Sequence, residues 1–235
     1  MADAGAMHPQ PHLAAYDPHS ATVLVGPRKK RFVVKKDLLA RHSESFKVAL
    51  AGSSKESQEW IITAPNVEPL IFEFFVHWMH HEAFPTVSNA PTRLLNKWDV
   101  KDADIVKTGN LIKLYVLGEL YGIEALRLLA LEDLLWFMDL DTTGLPNSDQ
   151  VSYAYENLPS ESALLRLLVD LYGQYVSENT WKDGDADDLP SPFIVAVLRR
   201  LSLYARHELE NNAELELCDY HDHEDARERE QCSSR

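Results

Sequence analysis

Between Thr22 and Leu50 the chain passes through a strand, a tight turn, a second strand and two short helices, and few folds accommodate that order in so little chain. Thr22-Val23-Leu24-Val25 is β-branched and apolar, Gly26-Pro27 signals a turn, and Arg31-Phe32-Val33-Val34 resumes extended character. The period then becomes helical, with Leu38 and Leu39 followed by Phe46, Val48 and Leu50. A crossover between parallel strands takes a dozen or more residues. The stretch is therefore too compact for a βαβ unit, and the turn joins the first two strands directly.

Charge narrows the partners. With 37 Asp and Glu against 23 Lys and Arg, the chain carries a net charge of −14. Binding to a phosphate backbone needs concentrated cations, so no nucleic-acid partner is expected. The cluster Arg28, Lys29, Lys30, Arg31, Lys35 and Lys36 reads as a solvated hairpin loop. Cys218 and Cys232 both lie near the C-terminus, which rules out a disulfide framework. The opening MADAGAMHPQPHLAAYDPH lacks a basic start and a continuous apolar core, so it does not resemble a signal peptide. No apolar run reaches the roughly 18 residues of a membrane span, and no membrane partner is expected. The expected location is intracellular, cytoplasmic or nuclear.

Residues 1–19 hold three prolines and three histidines without periodicity and are expected as a disordered leader. Trp60-Ile61-Ile62-Thr63 reads as a third strand ended by Pro65-Asn66. Pro69 suits a first helical position, where its missing N–H costs nothing. Leu70, Ile71, Phe74, Phe75, Trp78 and Met79 follow at helical spacing and read as core. The stretch 81–107 breaks the pattern and is expected as a long insertion at the surface with one short element. A helix over Asn110–Tyr121 ends at Gly122, and a second begins at Ile123. Ile123, Leu126, Ala130, Leu134 and Phe137 form one stripe of that second helix, and Leu128, Leu131, Leu135 and Met138 another. Apolar on most sides, it is expected to be largely buried. Beyond a Gly- and Pro-containing linker come a helix near Gln150–Asn157, a helix capped by Ser160, an acidic loop from Asp183 to Asp188, and a helix opened by Pro192.

These segments, in order, resemble a BTB/POZ domain. The Lys35-Lys36-Asp37-Leu38-Leu39 run with Ser43 and Phe46 carries the likeness at the start. Ile61-Ile62, Pro69, Phe72-Glu73-Phe74-Phe75 and Trp78 carry it in the middle, and Leu117, Tyr121, Ile123, Leu126 and Ala130 at the end. The words YAYENLPSESALLRLLVDLY and LPSPFIVAVLRR are similar to the helical extension of BTB proteins from filamentous fungi. The resemblance implies an α+β fold, with a short three-stranded sheet flanked by a helical cluster over residues 20–138, then an α-helical extension over 139–217 and a charged, disordered tail over 218–235. It also implies a non-enzymatic protein-interaction module that works on other proteins.

One alternative keeps the same fold. In BTB adaptors of cullin-based ubiquitin ligases, a hydrophobic–x–Glu motif follows the second early helix, and its apolar residue plugs a pocket on the cullin. The corresponding residues are Ser54, Lys55 and Glu56, so the Glu is present and the apolar plug is not. These three are the candidate partner-binding residues. Dimeric members carry an amphipathic helix ahead of the first strand. The proline-broken leader has no apolar stripe, so that dimer is not expected here.

A metal is the remote alternative. His77, His80 and His81 stand at i, i+3 and i+4, and Cys218, Asp219, His221 and His223 could supply a second set. HWMHH lacks the Glu that a zinc-protease HExxH requires. No G-x-S-x-G, P-loop or G-x-G-x-x-G occurs, so neither catalytic residues nor a cofactor are assigned.

Overall fold

The structure, a computed structural model, describes residues 17–52, 60–99, 104–138, 145–175 and 188–208. Within them, β1 (Ser20–Val25), β2 (Lys30–Lys35) and β3 (Ile61–Ala64) form one sheet in the order β2-β1-β3. Strand β1 pairs antiparallel with β2, Val23 opposite Phe32, and parallel with β3, Val23 opposite Ile62. Helices α1 (Lys36–His42) and α2 (Glu44–Gly52) lie between β2 and β3 in the chain. The fold is α+β, as the resemblance implied. Ala21, Val23 and Val25 alternate inward along β1, and with Val34 and Ala64 they give the sheet one buried face.

Helix α3 (Pro69–His81) begins with Pro69 in its first turn and buries Ile71, Phe72, Phe74, Phe75, Trp78 and Met79. Rings link the layers: Phe32 meets Phe72 edge-on at 4.9 Å, Phe46 stacks on Tyr121 at 4.4 Å, and Phe75 stacks on Trp78 at 6.1 Å. The stretch 81–107, expected at the surface, corrects that expectation in part. It contains α4 (Thr92–Trp98), and it sends Phe84, Leu94 and Trp98 into the core. Trp98 packs edge-on against Phe74 at 4.9 Å and against Phe84 at 4.9 Å. Three apolar residues spaced 10 and 4 apart are too sparse for a periodicity argument, yet they suffice to seal one side of α3.

Helix α5 (Asp104–Leu120) ends in a Schellman motif, the Ile123 N–H donating to the Gly118 carbonyl at 2.7 Å and the Gly122 N–H to Glu119 at 3.3 Å. Gly122 takes φ +64°, the left-handed conformation the motif requires. The Ser43 and Phe46 pair gains a physical reason at the same place. The buried Ser43 hydroxyl accepts from the Phe46 N–H at 3.2 Å, capping α2, and donates to the Tyr121 carbonyl at 2.6 Å. One hydroxyl thus ties the start of α2 to the end of α5.

Helix α6 (Glu124–Met138) corrects a second expectation. Ile123, Leu126, Ala130 and Leu134 are buried, but Leu128 is 53% exposed, Leu135 52% and the neighbouring Trp136 67%. Its inner stripe packs on α5, and no described element covers the outer one. The chain continues through α7 (Ser148–Asn157), α8 (Ala163–Tyr175) and α9 (Ser191–Glu208). Helix α8 starts after Ser162, whose carbonyl accepts from the Arg166 N–H at 3.3 Å, so Ser160 is not its cap. Phe193 is buried on Tyr172 at 4.8 Å, joining α9 to α8.

Candidate interaction surfaces

Ser54, Lys55 and Glu56 lie outside the described residues, as do Cys218, Asp219, His221 and His223. The chain resumes after the first of these segments at Trp60, whose carbonyl accepts from the Thr22 N–H at 2.7 Å and whose ring carries the Lys36 ammonium at 4.4 Å.

The described surface has a cleft that the sequence did not reveal. It runs between the start of α3, the outer side of α5, and α7. One part, of about 490 Å³, is lined by residues that include Ile105, Val106, Asn110, Asn147 and Asp149. A second part of about 150 Å³ reaches Val116 and Leu120. Glu68, Lys113 and Tyr153 line both parts. Lys113 Nζ donates to Glu68 Oε1 at 2.6 Å and sits 5.8 Å from the centre of the Tyr153 ring. Burial, then the Glu68 carboxylate, pushes the Tyr153 phenol up, so it stays neutral and keeps an O–H to donate. Ile105, Val106 and Leu120 are exposed beside these polar groups. Apolar walls with a few fixed donors and acceptors suit a peptide segment.

Gln150 builds one wall of the cleft. Its N–H donates to Asn147 Oδ1 at 3.0 Å, and its Oε1 accepts from the Asn147 N–H at 3.2 Å, a reciprocal cap on α7. The Nε2 of the same side chain donates to the Ile105 carbonyl at 2.6 Å on α5. Gly109 makes this approach possible, since a Cβ there would lie 2.8 Å from that nitrogen. Two further bonds fix the later helices, one to α5 and one to the segment just ahead of α7. Ser162 Oγ donates to the Tyr115 hydroxyl at 3.3 Å, and the Tyr172 hydroxyl donates to the Pro146 carbonyl at 2.5 Å.

The histidine set does not form a metal site. His77 is buried and its ring stacks on His81 at 4.4 Å, so the two present faces to each other rather than lone pairs to a common point. Among the described residues no group of three His, Cys, Asp or Glu side chains can hold a metal ion. Burial, and then the neighbouring His81, hold the His77 imidazole below its ordinary range, which keeps it neutral within the core. Its Nε2 is among the buried side-chain atoms without a hydrogen-bond partner.

Electrostatics elsewhere follow ordinary pairing. Arg127 on α6 donates to Glu119 on α5, which raises the guanidinium further and fixes the packing of the two helices. Among the described residues no helix is long and apolar enough to cross a membrane.

Residues 15–128 match the family model of the BTB/POZ domain, and that segment is a BTB/POZ domain. The match ends within α6, so α7, α8 and α9 follow it in the chain. No curated protein matches the chain.

Proposed function

We propose that the chain is a non-enzymatic protein-interaction module in which the BTB/POZ domain and the helices behind it form a single binding body. The BTB/POZ match carries the reading, because that domain mediates contacts with other proteins. The cleft supports it, since Gln150 and Tyr153 of α7 and Lys113 of α5 contribute jointly to its walls. The later helices, similar in sequence to the fungal extension, would then complete a surface that the domain alone lacks. The setting this implies is intracellular.

The test compares partners captured by the tagged full chain with those captured by Ile105→Asp and Leu120→Asp. Both sites are exposed, so the fold should tolerate the charge. A reproducible, stoichiometric partner that the variants lose is the expected result. Capture by neither protein, or a turnover activity that survives both changes, would sink the reading.

A cullin adaptor is the second reading, favoured by Glu56 at its motif position inside the matched segment. Ser54 weighs against it. Replacing a buried apolar plug by a hydroxymethyl group forfeits roughly 2–3 kcal/mol, about 30- to 150-fold in affinity. Calorimetry with a cullin N-terminal domain should show weak or undetectable binding by the native chain and a clear gain for Ser54→Phe. Tight native binding, or no gain from the added ring, would show that this loop is not the contact.

A further inference from the structure

In an acidic chain the structure gathers cations that the sequence keeps far apart. Glu73, on α3, is the hub. Arg93 Nη2 of α4 lies 2.5 Å from its Oε1, and Lys97 Nζ of the same helix lies 3.5 Å from its Oε2. Lys30 Nζ of β2 lies 4.0 Å from that second oxygen. Arg28 and Lys29 stand exposed on the adjoining turn and take no ion pair among the described residues. Arg31 turns away, donating to Thr22 Oγ1 at 3.2 Å on the outer face of the sheet.

Three cations against one carboxylate leave a local excess of two positive charges. The two basic turn residues add to it. Donors are also in surplus. A lysine offers three N–H groups and an arginine five, while Glu73 accepts directly only from Arg93. Arg93 is 75% exposed and Lys30 50%, so the donors face water.

We propose that this patch, formed by the β1–β2 turn, Lys30, Arg93 and Lys97, docks a carboxylate-rich segment of a partner protein. The proposal rests on the interaction reading above and names one class of partner for it. Charge complementarity carries it: a concentrated positive site on a body of net charge −14 attracts short acidic segments locally while the rest of the molecule repels longer polyanions. A nucleic acid fits less well. Phosphate tracks need cations in line, and base stacking needs an open ring, whereas the Phe32 ring is covered by Lys30 at 4.9 Å and by Phe72.

The probe is a fluorescein-labelled oligoglutamate peptide, titrated with the full chain and followed by anisotropy at low and physiological salt. Binding should weaken with salt and fall about tenfold for Arg93→Gln combined with Lys97→Gln. Because those changes remove partners of Glu73, Arg28→Gln with Lys29→Gln serves as a second variant outside that network and should weaken binding in the same direction. Arg166→Gln with Arg199→Gln removes equal charge elsewhere and should leave affinity unchanged. Equal losses in all three variants would reduce the effect to net charge and overturn the site. Tighter binding of a single-stranded oligonucleotide than of the peptide would overturn the choice of partner. A tenfold gain on deletion of residues 209–235 would assign the patch to the chain's own acidic segment instead, and overturn the proposal as stated. Absence of peptide binding would end this inference alone, because the capture experiment with the cleft variants stands independently of it.

Discussion

Phe74→Ala is the sharpest test of the packing, because Phe74 is fully buried and meets Trp98 edge-on at 4.9 Å. An aromatic side chain buries roughly 150–250 Å², and truncation to Ala removes roughly 120 Å² of it, or about 3 kcal/mol at about 25 cal/mol per Å². Loss of the ring pair adds about 0.5–1.5 kcal/mol, and any void that fails to collapse adds more. The sum, about 3–5 kcal/mol, is a large share of the roughly 5–15 kcal/mol that holds a domain folded. Urea unfolding followed by circular dichroism should show it as a midpoint lowered by about 2 M, for a slope of about 2 kcal/mol/M. Val33→Ala, on the outer face of the sheet and 64% exposed, should change stability by less than about 0.5 kcal/mol. A double-mutant cycle with Trp98→Ala should give a coupling of about 0.5–1.5 kcal/mol. A loss under about 1 kcal/mol for Phe74→Ala would mean that α3 faces the wrong way. Strict additivity with Trp98 would mean that α4 does not close the core.

Ser43→Ala removes the cap of α2 and leaves the Tyr121 carbonyl without that donor, so stability should fall by about 1–3 kcal/mol in the same urea assay. His77 gives a pH dependence: its native pKa is held below the unfolded value, so its contribution is complete above about pH 6.5 and is lost as pH falls through the native pKa. The drop in stability between about pH 7.5 and pH 5 should therefore be smaller in His77→Gln than in the native chain, and equal drops would exclude His77 as a source. The sequence of residues 1–19 predicts no helix of the kind used in the strand-exchanged dimer, so deletion of residues 1–19 should leave the number of chains per particle unchanged by light scattering. A dimer that dissociates on deletion would refute it.

Where periodicity was dense, the fold was legible. The hairpin and β3 stand out as short β-branched runs, α3 and α5 as apolar residues at helical spacing, and Phe46, Phe74, Trp78, Leu117 and Leu126 are all buried as the sequence implies. Periodicity misled in two places for opposite reasons. In 81–107 the apolar residues are few, yet Phe84, Leu94 and Trp98 are large and meet a single helix face, so size compensated for spacing. In α6 apolar residues occur on nearly every side, and composition alone cannot say how many faces neighbours cover. Packing on α5 accounts for one stripe, while Leu128, Leu135 and Trp136 stay exposed.

Sites were harder to see than the core because they depend on residues far apart in sequence. The cleft needs Glu68 just ahead of α3, Lys113 on α5 and Tyr153 on α7, and nothing local to any of them marks it. The basic patch shows the same logic more sharply. Arg28 to Arg31 alone reads as a solvated turn, and Arg93 and Lys97 lie in the stretch expected as a surface insertion. Their convergence follows from Trp98. With its ring packed against Phe74, Trp98 holds α4 close to α3, and Arg93 and Lys97 reach Glu73, one residue before Phe74. The core contact that sequence periodicity missed is thus the one that assembles the charged surface. Loss of the Trp98 ring should therefore disturb the patch as well as the core, even though no charge is removed.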